Sequence, residues 1–230
     1  MAFNPNHINH NIFKKLITSS RPILLDVGAN DGHDTCILKK IFPNSVIHSF
    51  EPDPRAINSF RIKTRELQDV TLHEIAMNES TGIALFYQSN SADFAVSHKN
   101  IRPNGWDLSG SLCRPKKHLE LHPEIVFDTI ITVPTITIDQ WTTNNDINHI
   151  DLLWMDVQGA EAQVLTGAQN SLKNCDLIYT EFDEEELYEG QVNLQHVKDL
   201  LMSTHLLLLE FKNDALFLNR QRYPVKASLH

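Results

Sequence analysis

Residues 26–32, with the sequence DVGANDG, follow the first apolar run of the chain, and Glu51 follows the second. Glycines at a turn from a strand into a helix allow a tight bend and a close approach of the backbone to a ligand. An acidic side chain at the end of the next strand is placed to accept hydrogen bonds from the ribose hydroxyls of an adenosine. The two features together predict a binding site for an adenosine-containing cofactor.

The residues of this loop distinguish between the cofactors that contain adenosine. A dinucleotide site has the pattern G-x-G-x-x-G, because its pyrophosphate lies on backbone N–H groups. Here Asn30 takes the place of the second glycine, and the carboxylate of Asp26 would repel a pyrophosphate but suit an ammonium group. S-adenosylmethionine carries an adenosine, an ammonium, a sulfonium and a carboxylate, and it has no phosphate. We therefore expect it to bind to Asp26, Gly28, Asn30, Gly32, Glu51, Ala76 and Asp156.

The elements that must position these residues alternate along the chain. Short apolar runs predict strands, and apolar residues at helical spacing predict helices. The predicted strands are 22–27, 46–50, 70–77, 150–155 and 177–182, the predicted helices are 34–41, 55–67, 160–172 and 194–202, and residues 206–211 and 215–218 form a terminal hairpin. This alternation predicts an α/β fold with a doubly wound, mostly parallel sheet, in which ligands bind at the carboxyl ends of the strands.

Three motifs resemble those of the FkbM-type methyltransferases. They are residues 23–32 (ILLDVGANDG), residues 50–52 (FEP) and residues 155–161 (MDVQGAE), and they occur in this order. The resemblance covers about residues 21–185, which is most of the chain. It implies a class I fold with a seven-stranded sheet, the use of S-adenosylmethionine, and methyl transfer that is usually to oxygen. Sugars and polyketide hydroxyls are prominent among the acceptors of the family.

The sequence departs from the family pattern at two positions. Trp154 stands where the family often has lysine, and Gln158 stands where it often has glutamate. The second departure removes a charge at the end of the fourth predicted strand of the sheet. Any role in the family that needs a charged group at that position is therefore not carried over to Gln158.

A single domain over residues 1–230 is expected from the length of the chain, with an N-terminal extension at residues 1–20. After the third strand, an extra strand at 83–87 interrupts the alternation, and residues 88–128 show little periodicity. Stretches of that length inside a domain are usually functional or mobile. We expect residues 88–128 to form an insertion that acts as a lid over the acceptor site.

Methyl transfer to a hydroxyl group needs a base for the hydroxyl proton, and four side chains are the predicted catalytic residues. Asp156 ends the fourth strand, Glu161 lies in the first turn of the next helix, Glu181 ends the fifth strand, and His98 lies in the insertion. Structural alternatives exist for three of them. Asp156 could cap the following helix, Glu161 could complement the helix dipole, and Glu181 could be a solvated strand end.

A divalent cation is a further alternative at the same strand ends. Asp156, Glu181 and Asp183 offer the oxygen ligands that hard cations prefer. The acidic run at residues 183–186 is explained more simply as the solvated start of a helix. We therefore predict no metal ligands, and we leave the need for a metal open.

Composition limits the partners that the protein can have. Twenty basic residues against 29 acidic ones give a net charge of −9, which argues against a nucleic acid partner. Cys36, Cys113 and Cys175 fit no disulfide framework, so we expect a cytoplasmic protein. No apolar run is long enough to cross a membrane.

A small hydroxylated molecule is the expected acceptor, while the oligomeric state stays open. Two other classes also remain open. One is a protein that binds the cofactor without catalysis, and the other is a nicotinamide-dependent oxidoreductase, which Asp26 and Asn30 disfavour.

Overall fold

A seven-stranded sheet lies at the centre of the structure, a computed structural model that describes residues 11–91 and 105–223. Along these residues the strands are β1 (Ile23–Val27), β2 (Val46–Phe50), β3 (Val70–His73), β4 (Ala76–Met77), β5 (Gly82–Ser91), β6 (Ile125–Ile136), β7 (Ile150–Met155), β8 (Cys175–Glu181), β9 (His205–Phe211) and β10 (Asp214–Asn219). The central sheet has the order β3-β2-β1-β7-β8-β10-β9, in which β10 pairs antiparallel with β8 and β9 and all the other pairs are parallel. The predicted doubly wound, mostly parallel sheet is confirmed.

Helices cover both faces of this sheet. They are α1 (Asn11–Leu16), α2 (His33–Ile41), α3 (Pro54–Thr64), α4 (His118–Leu121), α5 (Ile138–Asn144), α6 (Glu161–Thr166) and α7 (Leu194–Leu201). On one face Leu25 packs in a core cluster with Val164 of α6, and on the other face Leu24 packs with Phe13 of α1 and Leu38 of α2. Successive strand residues point to opposite faces, and both faces are buried, which explains the unbroken apolar runs in the sequence.

Three of the alternating strands and helices differ from their predicted bounds by three residues or more. The strand predicted at 70–77 divides, because β3 ends at His73 and β4 leaves the central sheet to pair with β6. The helix predicted at 160–172 ends at Thr166, and a 3₁₀ turn follows at Ser171–Asn174. Helix α3 ends three residues earlier than predicted, at Thr64. The division of the third strand matters most, because it brings Ala76 to a different sheet.

The segments predicted as extension and insertion contain regular structure. Phe13, inside the predicted extension, is buried in a core cluster, so α1 is part of the packed fold. Strands β5 and β6 pair with each other as far as Ser91 and Ile125, and thus enter the predicted insertion from both ends. No helix within residues 11–91 and 105–223 is long and apolar enough to cross a membrane.

Candidate active site

A cavity with about 610 Å³ of empty space, which includes space open to solvent, lies at the carboxyl ends of β1, β2 and β7. Its walls come from the loops after these three strands, from β4 and β5, and from a segment of the insertion. The lining residues are Val27, Gly28, Asn30, Phe50, Glu51, Pro52, Ala76, Met77, Phe86, Asp107, Leu108, Gly110, Leu112, Asp156, Val157, Gln158 and Ala160.

Gly28 brings the loop after β1 into contact with the loop after β7. Its backbone has a φ of +85°, and a Cβ atom there would lie 1.8 Å from the carbonyl oxygen of Asp156. The N–H of Gly28 donates to the carbonyl of Phe50, and the N–H of Asp156 donates to the carbonyl of Val27, both at 3.0 Å. No side chain fits between the loops, so the glycine leaves backbone exposed at the cavity wall.

Glu51 lies in the cavity wall with only 5% of its surface exposed. Its Oε2 accepts a hydrogen bond from the N–H of Asn30 at 2.8 Å, and its Oε1 accepts one from the N–H of Asp53 at 2.7 Å. Burial raises the pKa of Glu51 to about 8, although both N–H groups favour the ionised form. The two bonds fix the direction of the carboxylate, whose further lone pairs can accept hydroxyl hydrogens.

Residues 105–113 of the insertion lie over the cavity and are bonded to its walls. The side-chain amide of Asn30 donates to the carbonyl of Asp107 at 2.9 Å. The hydroxyl of Ser111 donates to the carbonyl of Gln158 at 2.7 Å, and the N–H of Ser109 donates to the hydroxyl of Ser89 at 3.1 Å. This part of the insertion is therefore held to the loops after β1 and β7.

Asp156 is one of the residues that line the same cavity. Its Oδ1 accepts a hydrogen bond of 2.6 Å from the side-chain amide of Gln158. Burial raises the pKa of Asp156, the nearby carboxylates of Asp34 and Asp214 raise it further, and the Gln158 amide lowers it. In the predicted alternative role, a cap of helix α6, Asp156 would bond a backbone N–H of that helix, whereas its carboxylate bonds Gln158.

Two other predicted catalytic carboxylates lie near Asp156 but not among the lining residues. The Asp156 carboxylate and then burial raise the pKa of Glu181, which is the strand partner of Asp214 on β10. Glu161 is buried, and its Oε1 accepts bonds of 3.3 Å from the N–H groups of Val157 and Gly159. Burial raises the pKa of Glu161 to about 7. Glu161 therefore holds the loop that carries Asp156.

Two residues predicted to bind the cofactor lie behind the cavity wall. Asp26 shares the strand face of Leu24, and its carboxylate accepts a hydrogen bond from the hydroxyl of Thr35 on α2. Burial, followed by the nearby carboxylate of Asp34, raises the pKa of Asp26 to about 7. At Gly32, with a φ of +80°, a Cβ atom would lie 2.9 Å from Phe60, so this glycine allows α2 to pack against α3.

The remaining predicted residues divide into three cases. Ala76 lines the cavity, as do Gly28, Asn30 and Glu51, and His98 lies outside the described residues. Asp183 accepts a hydrogen bond from the N–H of Glu185 at 2.9 Å in a surface turn. Within the described ranges, only one place brings three ligand atoms of His, Cys, Asp or Glu side chains within 4.8 Å of one another. This place lies at the opposite edge of the sheet. Asp156, Glu181 and Asp183 do not form such a group.

The cavity fits the cofactor that the sequence predicts. Three carboxylates stand in its wall, on Glu51, Asp107 and Asp156, beside apolar side chains such as Met77 and Phe86. Acidic groups attract an ammonium or a sulfonium, accept hydrogen bonds from ribose hydroxyls, and repel a diphosphate. S-adenosylmethionine carries an ammonium, a sulfonium and ribose hydroxyls, and it has no phosphate.

Comparison with known proteins gives the family. A model of the methyltransferase FkbM domain matches residues 26–213. The chain belongs to the FkbM methyltransferase family. The predicted resemblance and the prediction of an S-adenosylmethionine-dependent methyltransferase are confirmed.

One relative of this FkbM-family chain has a name that states an activity. A 2-O-methyltransferase, NoeI, from Sinorhizobium fredii is 38% identical over 197 residues, which are 86% of this chain and 78% of NoeI. The solved methyltransferase FkbM from Methylobacillus flagellatus has a TM-score of 0.52 at 14% identity, over 88% of this chain and 44% of that chain. A putative rRNA methylase from Clostridium thermocellum has a TM-score of 0.50 at 11% identity, over 91% of this chain and 92% of that chain. At such identities the structural likeness shows the fold alone.

Sequence reasoning missed two polar residues in the cavity wall of this FkbM-family protein. Asp107 lies in the insertion, where no periodicity marks it, and it reaches the cavity only through contacts distant in sequence. Gln158 was treated only as a departure from the family pattern. Its position before Gly159, at the turn that follows β7, was a usable signal, because such turns place side chains at the cavity.

Proposed function

We propose that the protein transfers a methyl group from S-adenosylmethionine to a hydroxyl group of a sugar-like small molecule. The proposal is supported by the combination of a named relative and an acidic residue in the cavity. Its relative NoeI, 38% identical, is named a 2-O-methyltransferase. Its cavity is also lined by a half-buried acid, Asp156, just after the end of β7, where a hydroxyl proton could be accepted.

The cofactor half of the site would be formed by the loops after β1 and β2. Glu51 would accept hydrogen bonds from the ribose, and backbone at Gly28 would meet the amino-acid end. Asn30 would act through its backbone N–H, which holds Glu51, and through its amide, which holds the insertion. Asp26 would act at a distance, as a negative charge behind the wall. When bound, S-adenosylmethionine supplies the electrophilic methyl group.

The acceptor half would be formed by the loop after β7 and the insertion. Asp156 would accept the hydroxyl proton, so that the acceptor oxygen gains nucleophilic character as it approaches the methyl group. Apolar side chains such as Phe86 and Leu112 would exclude water and hold the acceptor in line. Alignment and exclusion of water can supply a large part of the reduction in the barrier.

The net charge and the free thiols of the protein support proposals about its acceptor and its compartment. A net charge of −9 and an acid-lined cavity support a small-molecule acceptor over a nucleic acid. Cys36, Cys113 and Cys175 are all free thiols, which supports a reducing compartment such as the cytoplasm.

Calorimetry and a transfer assay test the proposal. S-adenosylmethionine and S-adenosylhomocysteine should bind, and NAD should not. Methyl transfer from labelled S-adenosylmethionine should be found within a panel of mono- and oligosaccharides, and Asp156→Asn should lower turnover by about 100-fold or more with little loss of cofactor affinity. Asp128→Asn, an exposed aspartate on β6, is the matched control.

Other outcomes would replace the proposal. Binding of NAD without S-adenosylhomocysteine would indicate an oxidoreductase, and cofactor binding without turnover on any hydroxylated acceptor would indicate a binding protein. Turnover on RNA but not on saccharides would move the acceptor to nucleic acid. Loss of affinity without loss of turnover in Asp156→Asn would make Asp156 a cofactor ligand.

A further inference from the structure

Gln158 makes a short hydrogen bond to the carboxylate that we propose as the base. Its Nε2 lies 2.6 Å from Oδ1 of Asp156, and both side chains line the cavity. Gln158 has a φ of +51°, a left-handed conformation that non-glycine residues adopt rarely. Strained backbone of this kind persists where surrounding contacts impose it, and it is frequent at functional sites.

The contacts that impose this conformation come from two directions. The hydroxyl of Ser111 donates to the Gln158 carbonyl at 2.7 Å, which joins it to the insertion. The hydroxyl of Tyr188 lies 2.8 Å from the Ser109 carbonyl and 3.3 Å from Oε1 of Gln158, so its hydrogen is shared mainly with Ser109. Because Oε1 faces Tyr188, the amide nitrogen must face Asp156.

We propose that Gln158 is a positioning residue that orients the Asp156 carboxylate and keeps it ionised, ready to accept the proton of the acceptor hydroxyl. This inference rests on the proposed function. In the proton step, the acceptor O–H bond breaks and its proton passes to Asp156. In the transfer, the new O–CH₃ bond forms as the S–CH₃ bond breaks, and the electron pair stays on sulfur as S-adenosylhomocysteine. Gln158 itself neither gains nor loses a proton.

The charges around Asp156 show why a neutral donor is useful there. The carboxylates that surround it are Asp34 from α2, Asp214 from β10, Glu181 from β8, Glu161 from α6 and Asp26 from β1. Tyr188 faces it from the segment that follows β8, and burial raises the pKa of that phenol. Burial and these acids favour a protonated Asp156, which cannot act as a base. The amide of Gln158 opposes them, because it donates a hydrogen bond and brings no charge.

Two substitutions separate this role from a purely structural one. In Gln158→Leu the side-chain donor is lost while the backbone N–H of residue 158 remains, so the acidic limb of the pH profile of kcat should move upward by about one pH unit. In Gln158→Glu two carboxylates share the site, and the movement should be larger. Gln140→Leu removes an exposed glutamine from α5 and should leave the profile unchanged. A residue that only stabilised the fold would lower kcat at every pH without moving its midpoint.

A second measurement does not depend on turnover. The carboxyl ¹³C signal of Asp156, assigned by its loss in Asp156→Asn, can be titrated by NMR in the folded protein. Its midpoint should rise by about one pH unit in Gln158→Leu. An unchanged midpoint in folded Gln158→Leu and Gln158→Glu would overturn the inference. Failure of the proposed function would appear separately, as an absence of S-adenosylhomocysteine binding or of methyl transfer in the wild-type protein.

Discussion

Carboxylates lie at both ends of the parallel strands of the central sheet. We call these ends the amino edge and the carboxyl edge, and the carboxylates of the two edges have different neighbours. At the amino edge, Oδ2 of Asp151 accepts a hydrogen bond from the N–H of Ile23 at 2.8 Å. Oδ2 of Asp176 lies 3.3 Å from Nε2 of His149, and its Oδ1 lies 3.4 Å from Nε of Arg222. Burial raises the pKa of Asp176, and His149 and Arg222 lower it. Basic groups and a backbone donor thus compensate the acids of this edge.

At the carboxyl edge, four acids, Asp156, Glu181, Asp214 and Asp34, lie close enough to raise one another's pKa values. The Asp156 carboxylate is the main influence that raises the pKa of Glu181, with burial, Asp214, Asp34 and Glu161 acting in the same direction. Concentrating like charges in a buried place lowers stability, and proteins keep such arrangements mainly where a ligand or a reaction requires them. The difference between the edges supports the proposal that the carboxyl edge carries the chemistry, whereas the amino edge serves the fold.

The largest expected effect is at the contact between the two loops of the carboxyl edge. Gly28→Ala places a methyl group 1.8 Å from the Asp156 carbonyl and strains a φ of +85°. We expect loss of S-adenosylhomocysteine binding and a loss of about 3 kcal/mol or more of unfolding free energy, measured by calorimetry and urea denaturation. Gly190→Ala, at a φ of +79° with open space around it, is the control for strain alone. Equal effects in both variants would show that the loop contact is unimportant.

A smaller effect is expected when the ribose acceptor is removed. Glu51→Ala should weaken S-adenosylhomocysteine binding by about 1.5–3 kcal/mol, the scale of hydrogen bonds to a charged group. Calorimetry measures this loss, and Glu74→Ala, which removes an exposed glutamate, should leave the affinity unchanged. Unaltered affinity in a folded Glu51→Ala protein would assign Glu51 to the fold, as for the acids of the opposite edge.

At the amino edge, the expected effect is on stability alone. Asp151→Asn removes a buried charge that lies beside His149 and bonds the N–H of Ile23, so unfolding free energy should fall by about 1–3 kcal/mol. Urea denaturation checks this, with the exposed Asp128→Asn as control. Affinity for S-adenosylhomocysteine should not change. A loss of affinity equal to that of Glu51→Ala would erase the distinction between the edges.

The smallest expected effect has the opposite sign and depends on pH. Because the pKa of Glu181 is raised from 4.5 to about 9, the folded state holds its proton more tightly than the unfolded state does. Stability is then lost as pH rises above 4.5, and Glu181→Gln should remove that loss. The variant should match wild type at about pH 4 and be the more stable of the two proteins at pH 8, measured by urea denaturation. Glu184→Gln is the exposed control, and a destabilised Glu181→Gln at pH 8 would contradict the charge argument.

The parts of the site that follow directly from strands could be predicted from the sequence. The loop after β1, Glu51 after β2 and Asp156 after β7 lie at one cavity because parallel strands end at the same edge of a sheet. Asp26 shows the limit of this reasoning. It belongs to the same motif, but the alternation of side chains along β1 turns it toward Thr35 on α2, away from the cavity.

The parts that depend on contacts distant in sequence could not be predicted. Asp107 reaches the cavity because Asn30, 77 residues earlier, donates to its carbonyl, and no local pattern encodes that bond. The division between β3 and β4 was missed for a similar reason. Residues 70–77 read as one apolar strand, whereas pairing of Ala76 with Thr135 on β6 draws the chain into the second sheet.

The absence of a side chain at Gly28 has a consequence for kinetic measurements. The backbones after β1 and β7 touch there, so the loop proposed to hold the cofactor and the loop that carries the proposed base are in direct contact. Substitutions that displace either loop will change KM for the cofactor and kcat together. Among variants of these loops, the two parameters should correlate, and only changes confined to side-chain tips should separate them.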